Sequence, residues 1–160
     1  MHTYQNAKIQ FYASDMMLHI DSDAAYLILP GAKSRVAEFF HLSNASETQH
    51  TPSPLLNDTI HIECKALRHV VSSAAEAEMA ALFHNAKTAL EIRNILTALD
   101  HKQPIIPLKT DNTTAAGFIH NFVHQRRSKS WDMRYHWLRE RNNKDLNIYW
   151  APGKNNLADY

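Results

Sequence analysis

The sequence predicts an α/β fold of the α+β type, in which a five-stranded mixed sheet is flanked by helices. Apolar and polar residues alternate in three early segments, which is the period of a half-buried strand. A stretch from 74 to 99 then contains no Gly or Pro and is rich in helix-forming residues, and short apolar segments follow it. The chain of 160 residues can bury one core and is short for two, so we expect a single domain over 1–160.

The three early segments, at 16–22, 36–43 and 59–67, are expected to form an antiparallel meander of three strands. In the first of them Leu18 and Ile20 alternate with polar residues, and Asp23 is expected to end the strand. The polar stretch between 43 and 58 contains two prolines and predicts a long connection between the second and third strands.

The second half of the chain predicts a helix, a strand, two further helices and a last strand. The long helix occupies 74–99, and Pro104 and Pro107 exclude its continuation before a short strand at 108–110. A strand, a long crossover helix and another strand favour parallel pairing with a right-handed connection. Helices at 113–123 and 129–141 and a strand at 146–150 follow. A final helix opening at Asp159 is expected to be truncated.

Four carboxylates stand out by their positions in this arrangement. Parallel pairing of the first and fourth strands would bring Asp23 and Asp111 side by side, while Glu78 lies on the long helix and Asp159 near the end of the chain. Divalent cations such as Mg²⁺ are held by hard oxygen ligands of this kind, contributed by separate elements. These four residues are candidate metal ligands, although Asp111 could instead cap the helix that follows it and Asp159 could be a first-turn residue of a helix.

Two neighbouring acids compete with these candidates. Residues two apart on a helix are rotated by about 200°, so only one of Glu76 and Glu78 can face the sheet. Ser73 and Glu76 have the spacing of a capping box, which assigns Glu76 to the start of the helix and Glu78 to the site. Asp21 and Asp23 would share one face of their strand, and spacing does not choose between them.

Each acid stands within a short motif, and two longer segments accompany them: SDA at 22–24, AEMAAL at 77–82, TDN at 110–112, NLAD at 156–159, SSAAEAEMA at 72–80 and DMRYHWLRE at 132–140. With these motifs, the chain from about residue 13 to its end resembles the RNase H domain of LTR retrotransposon polyproteins, especially those of the copia type. The resemblance implies a ribonuclease H-like fold. It also favours Asp23 over Asp21, because the first metal ligand of the family lies in the Ser-Asp-Ala motif.

The resemblance further implies an activity. The protein would be an endonuclease that hydrolyses the RNA strand of an RNA–DNA hybrid, leaving 3′-hydroxyl and 5′-phosphate ends. Asp23, Glu78, Asp111 and Asp159 would be its catalytic residues and would hold two Mg²⁺ or Mn²⁺ ions. Two such ions about 3.5 to 4 Å apart can stabilise both the attacking and the leaving oxygen.

Partners and location are expected from the same resemblance. The substrate would be an RNA–DNA hybrid, and a reverse transcriptase domain would belong to the same polyprotein, with residues 1–14 as a linker or upstream segment. We expect an intracellular protein, in the cytoplasm or in a retroelement particle, that is neither secreted nor bound to a membrane. No apolar run approaches the roughly 20 residues of a membrane span. The single cysteine, Cys64, is expected to be buried and is consistent with a reducing compartment.

Charge is distributed unevenly, which directs the search for substrate contacts. Residues 1–80 carry 5 Lys/Arg and 9 Asp/Glu, whereas residues 81–160 carry 12 and 7, so the halves have net charges of −4 and +5. A phosphate backbone is expected to contact the basic half. The candidate substrate-binding residues are Ser73, Asn112, Arg126, Arg127, Lys129, Arg134 and Lys154. Many cellular RNases H have a histidine shortly before the last acid, but here Lys154 is the only ionisable residue of that loop.

Three other functions fit the same fold. One is a non-catalytic connection module of a reverse transcriptase, which the presence of all four acids disfavours. Another is a transposase-integrase, whose acids run Asp, Asp, Glu, whereas this chain runs Asp, Glu, Asp, Asp. A resolvase of DNA junctions remains open, because a shared fold does not fix a substrate.

Overall fold

The computed structural model describes residue 6 and residues 8–45, 57–120 and 129–159, with the backbone alone at 129–132. The elements are β1 (Met17–Leu29), β2 (Lys33–Ser43), β3 (Thr59–Ala66), α1 (Ala74–Ala98), β4 (Ile106–Thr110), α2 (Thr113–Ile119), α3 (Lys129–Arg141) and β5 (Leu146–Trp150), followed by a 3-10 turn at Gly153–Asn155. None of the described helices combines the length and the apolar character that a membrane span requires.

The five strands form one mixed sheet in the order β3-β2-β1-β4-β5. β1, β2 and β3 pair antiparallel, whereas β4 pairs parallel with both β1 and β5. The long helix α1 connects the antiparallel part to β4, as the crossover pattern predicts. The predicted mixed sheet and its flanking helices are therefore confirmed.

The strand β1 is longer than predicted, and Asp23 lies inside it rather than at its end. The reason is that β1 has two neighbours of different length. Its parallel pairing with β4 extends only as far as Asp21↔Lys109, while its antiparallel pairing with β2 continues through Ala25↔Arg35. Asp23 thus lies where β1 passes beyond the end of β4.

One face of α1 covers the sheet and forms most of the core with it. The helix begins at the predicted cap, where the Ser73 hydroxyl accepts a hydrogen bond from the Glu76 amide at 3.1 Å. The Glu76 carboxylate accepts bonds from the amide and the hydroxyl of Ser72, both at 2.6 Å. Glu76 therefore has the structural role predicted for it. The fully buried large side chains of this core include Leu18, Ile20, Phe40, Leu82, Leu108, Leu138 and Ile148.

The outer strand β3 exposes one of its faces, and the predicted burial of Cys64 is wrong. Ile60, Ile62 and Cys64 alternate with less exposed residues along the strand and are themselves exposed. β3 is the edge of the sheet, paired on one side by β2, and α1 lies closest to β1.

The chain after α1 follows the predicted order, but β4 begins at Ile106 instead of 108 and contains Pro107, and the later segments show two further differences. α3 and β5 have the predicted bounds, while α2 ends at Ile119 instead of 123, and residues 121–128 lie outside the described part. After β5, the described residues contain the 3-10 turn, and no closing helix begins before Asp159. The truncated final helix thus remains a prediction.

Candidate active site

The parallel pairing of β1 and β4 brings two of the predicted acids together. Asp21 of β1 is paired with Lys109 of β4, and two residues further along each chain are Asp23 and Asp111. Glu78, in the second turn of α1, reaches the same place. Carboxylate oxygens of Asp23, Glu78 and Asp111 all lie within 4.8 Å of one another. Three acids that are far apart in the sequence thus form one cluster.

Asp111 is held by the neighbouring strand β5. The Trp150 indole donates a hydrogen bond to the carbonyl oxygen of Asp111 at 2.9 Å, and the Ala151 amide donates to the Thr110 carbonyl at 3.0 Å. These bonds continue the β4–β5 pairing past the end of both strands. They fix the backbone from which the Asp111 carboxylate projects.

Burial and mutual repulsion disfavour the charged forms of the carboxylates in this cluster. Glu78 is 5% exposed, and its Oε2 atom has no hydrogen-bond partner among the described residues. Burial, together with the charges of Asp23 and Asp111, raises the pKa of Glu78 to about 8. Burial and the charges of Asp111 and Asp159 raise the pKa of Asp23 to about 6. A divalent cation would remove this repulsion, so the donor set fits a metal site.

Asp159 lies near the cluster but at its exposed rim. Its charge is close enough to raise the pKa of Asp23, although it is not one of the three residues within 4.8 Å. Its amide donates to the Asn156 carbonyl at 3.3 Å, which places it at the end of a turn. The structure therefore brings three of the four predicted acids into direct contact range and the fourth into their vicinity.

Asp21, the alternative to Asp23, is engaged elsewhere. Its carboxylate is buried and accepts hydrogen bonds from Lys109 Nζ at 2.5 Å and from the Leu157 amide at 2.8 Å. Lys109 Nζ also donates to the Asn155 carbonyl at 2.6 Å. Sequence reasoning missed Lys109, although a lysine inside an otherwise uncharged buried strand was a usable signal.

Gly153 is a second residue that sequence reasoning missed. A Cβ atom built on it would lie 2.6 Å from Oδ2 of Asp111, which is closer than real Cβ contacts allow. The backbone of Gly153 does not have a positive φ, so the requirement for glycine comes from the space and not from conformation. The absence of a side chain at 153 leaves room for the Asp111 carboxylate.

Gly153→Ala is therefore expected to displace the Asp111 carboxylate and to leave the fold intact. A displacement of about 1 Å can reduce a reaction rate roughly 100-fold, so we expect any reaction carried out at this cluster to slow by that order. The melting temperature should change little, because a short, partly exposed side chain can move aside. Asn155→Ala, in the same turn but adding no atom near Asp111, is the control. Full activity of the Gly153→Ala protein would show that this contact is not needed.

The predicted substrate-binding residues lie in different parts of the structure. Two are helix caps: Ser73 at α1, and Asn112 at α2, where its Oδ1 accepts from the Ala115 amide at 2.9 Å. Lys154 is exposed in the 3-10 turn beside Gly153. Lys129 begins α3, but its side chain is outside the described part, as are Arg126 and Arg127 entirely.

Arg134 borders a basic cavity of about 430 Å³ between α1, α3 and the segment after β3. Its guanidinium donates to His69 Nε2 at 2.8 Å and lies 5.7 Å from the centre of the Phe83 ring. Lys65 and Arg68 also line the cavity, together with Glu63, which forms an ion pair with Lys65. The three cations outnumber this one acid, so the lining is suited to an anionic ligand such as a phosphate.

Comparison with solved structures identifies the fold of the chain. No protein-family model matches the sequence. LC11-RNase H1, isolated from compost and solved in complex with an RNA/DNA hybrid, superimposes with a TM-score of 0.60 and 11% identity over 88% of each chain. RNase H1 from the archaeon Halobacterium salinarum gives 0.56 and 14% identity, over 89% of this chain and 90% of that one. The foamy viral protease-reverse transcriptase, solved in complex with dsDNA, superimposes with a TM-score of 0.53 and 17% sequence identity, over 89% of this chain and 88% of that one.

These similarities confirm the predicted fold class. The chain has a ribonuclease H-like fold, with the five-stranded mixed sheet and flanking helices described above. The sequence identities are low, and a shared fold does not fix a substrate.

Proposed function

We propose that this protein is a metal-dependent endoribonuclease that hydrolyses the RNA strand of RNA–DNA hybrids. The observation that carries the proposal is the cluster of Asp23, Glu78 and Asp111, whose oxygens lie within 4.8 Å of one another in a ribonuclease H-like fold. Such a cluster is costly without a cation, and it lies where β1 passes the end of β4. The RNA/DNA hybrid in the LC11-RNase H1 complex supports the choice of substrate.

In this proposal, Asp23, Glu78, Asp111 and Asp159 are the catalytic residues and hold two Mg²⁺ or Mn²⁺ ions. Ions bound there would supply the positive charge that lowers the pKa of water and stabilises the leaving oxygen. Hydrolysis adds water across the P–O3′ bond, which yields a 3′-hydroxyl and a 5′-phosphate. The carboxylates act as ligands and not as nucleophiles.

Other residues of the chain would bind the hybrid. We assign backbone contacts to the cations Arg126, Arg127, Lys129, Arg134 and Lys154, and sugar or phosphate contacts to Ser73 and Asn112. The basic cavity beside Arg134 supports this assignment for that residue. Because phosphates carry no sequence information and the 2′-hydroxyl distinguishes RNA from DNA, cleavage should depend little on sequence.

We further propose a retroelement context, in which an intracellular polyprotein joins this domain to a reverse transcriptase. The motifs around the four acids support it, and so does the fold shared with the foamy viral protease-reverse transcriptase. Residues 1–14 would then be the upstream linker.

In the direct test, the protein is incubated with each of three labelled duplexes in the presence of Mg²⁺, Mn²⁺ or EDTA. The duplexes are an RNA–DNA hybrid, double-stranded RNA and double-stranded DNA. We expect cleavage of the RNA strand of the hybrid with either metal, no cleavage in EDTA, and products that a ligase requiring 5′-phosphate accepts. Cleavage of the DNA duplex in preference to the hybrid would overturn the proposed substrate. Metal-independent cleavage would overturn the proposed chemistry.

A further inference from the structure

We propose that the buried ion pair Asp21–Lys109 positions the C-terminal segment, residues 155–159, so that Asp159 reaches the metal site. The inference rests on the proposed function, because it assigns a role relative to that site. Neither member of the pair belongs to the carboxylate cluster. Both are positioning residues that act through the segment.

The contacts of the pair lead directly to the segment. Lys109 Nζ donates to the Asn155 carbonyl at 2.6 Å, and the Asp21 carboxylate accepts from the Leu157 amide at 2.8 Å. The two side chains also bond to each other at 2.5 Å. One ion pair thus holds two backbone groups that are separated by a single residue.

The burial of the pair explains why these contacts matter. Asp21 is 4% exposed and Lys109 is 8% exposed. A buried ion pair is stable only when further hydrogen bonds satisfy its remaining donors and acceptors. Here the C-terminal segment provides such bonds. The pair and the segment therefore stabilise each other, and loss of the pair should release the segment.

A third anchor lies between the two backbone contacts. The Asn156 side-chain amide donates to the Ser22 carbonyl at 3.0 Å, and the Ser22 hydroxyl accepts from Asn85 of α1 at 2.8 Å. Residue 22 immediately precedes Asp23, and α1 carries Glu78. The segment is thus attached to β1 directly and to α1 through Ser22, and these elements supply Asp23 and Glu78 of the cluster.

The distance along the chain from these anchors to Asp159 is short. Asp159 is two residues beyond Leu157, and its amide donates to the Asn156 carbonyl at 3.3 Å. Within the described residues no helix stabilises the segment before Asp159. The position of the Asp159 carboxylate therefore depends on the anchors at 155–157.

The test removes both charges together, because a single substitution would leave one buried charge without its partner. Asp21→Leu/Lys109→Met keeps the volume and removes the contacts to the segment. Asn156→Ala removes the third anchor and provides a second variant if the first fails to fold. Arg93→Met/Asp145→Leu is the control, since it removes the ion pairs that Asp145 forms with Arg93 at 2.9 Å and with Arg141 at 2.7 Å. Asp145 precedes β5 and lies at the other end of that strand from the site.

Three measurements are made on each full-length protein: the Mg²⁺ concentration for half-maximal cleavage, Mn²⁺ affinity by calorimetry, and amide hydrogen exchange at Leu157 and Asp159. Loss of residues that orient metal ligands typically weakens metal affinity about 10- to 100-fold, and we expect a shift of that size in both metal measurements. Amide exchange at 157 and 159 should accelerate. In an Asp159→Asn background, the same substitutions should shift the metal dependence no further.

Two results would overturn the inference: unchanged amide exchange at 157 and 159 in a folded variant, or metal dependence that moves as little as in the control. These outcomes are distinct from failure of the proposed function. If the wild-type protein cleaves no hybrid, the nuclease proposal fails, whereas amide exchange and Mn²⁺ affinity still test the role of the ion pair.

Discussion

Asp23→Asn and Asp111→Asn should each abolish cleavage of the RNA strand while leaving the protein folded and able to bind the hybrid. Each substitution replaces an oxygen ligand of the cluster with a neutral amide of the same size. If ion-mediated charge stabilisation contributes about 4 kcal/mol to the transition state, its loss slows the reaction roughly a thousandfold. Hybrid binding should remain, because it depends on cations outside the cluster.

The measurement is single-turnover cleavage of a labelled hybrid, accompanied by a binding assay in Ca²⁺ or EDTA and by circular dichroism. Asp145→Asn is the control, since Asp145 forms ion pairs with Arg93 and Arg141 away from the cluster. It should cleave at the wild-type rate. Near-normal cleavage by the Asp23→Asn or Asp111→Asn protein would remove the cluster from the mechanism.

Glu78→Gln should raise the stability of the metal-free protein at alkaline pH while it lowers activity. The pKa of Glu78 is raised from 4.5 to about 8, first by burial and then by the charges of Asp23 and Asp111. Between these two pH values the folded protein retains a proton that the unfolded chain has released. Folding stability therefore falls as pH rises through this window, and above pH 8 the loss is complete.

Glutamine cannot ionise, so the variant avoids that loss. At pH 8.5 in EDTA we expect its free energy of unfolding to exceed that of the wild type by on the order of 2 kcal/mol, or about 4 to 8 °C in melting temperature. At pH 5, near the lower end of this window, the two proteins should have nearly the same melting temperature, because Glu78 is then protonated in the folded protein. Mg²⁺ should stabilise the wild type more than the variant, since bound metal stabilises the folded state alone.

Thermal melts at pH 5 and 8.5, with and without Mg²⁺, test this expectation. Glu91→Gln is the control, because Glu91 is exposed on the same helix and does not belong to the carboxylate cluster. If the Glu78→Gln protein melts below the wild type at pH 8.5 in EDTA, then the carboxylate is stabilised in the folded protein and the charge repulsion inferred here is absent.

Local patterns were sufficient to predict most elements of the fold. The Gly- and Pro-free stretch predicted α1 to within one residue, and the bounds of α3 and β5 were predicted correctly. The convergence of Asp23 and Asp111 followed from parallel pairing, which the crossover helix favoured. These predictions depend on periodicity and connection rules, which are properties of short segments or of their order.

The features that were missed depend on contacts between distant residues. β1 is long because its pairing with β2 continues beyond the end of its pairing with β4. No pattern within the sequence of β1 predicts how far either pairing extends. Asp21 and Asp23 share one strand face, so only Lys109 and Leu157, which bond to Asp21, separate their roles. Gly153 matters because Asp111, 42 residues earlier in the sequence, lies beside it.

The pairing of β1 with β4 also has a kinetic consequence. Ile20 and Leu108 pair at a sequence separation of 88 residues, and such distant pairing is slow because a large loop must close first. The carboxylate cluster needs that pairing to form, so we expect it to be assembled late in folding. An ion bound to the cluster would then act after the rate-limiting barrier, so divalent metal should slow unfolding and have little influence on the refolding rate.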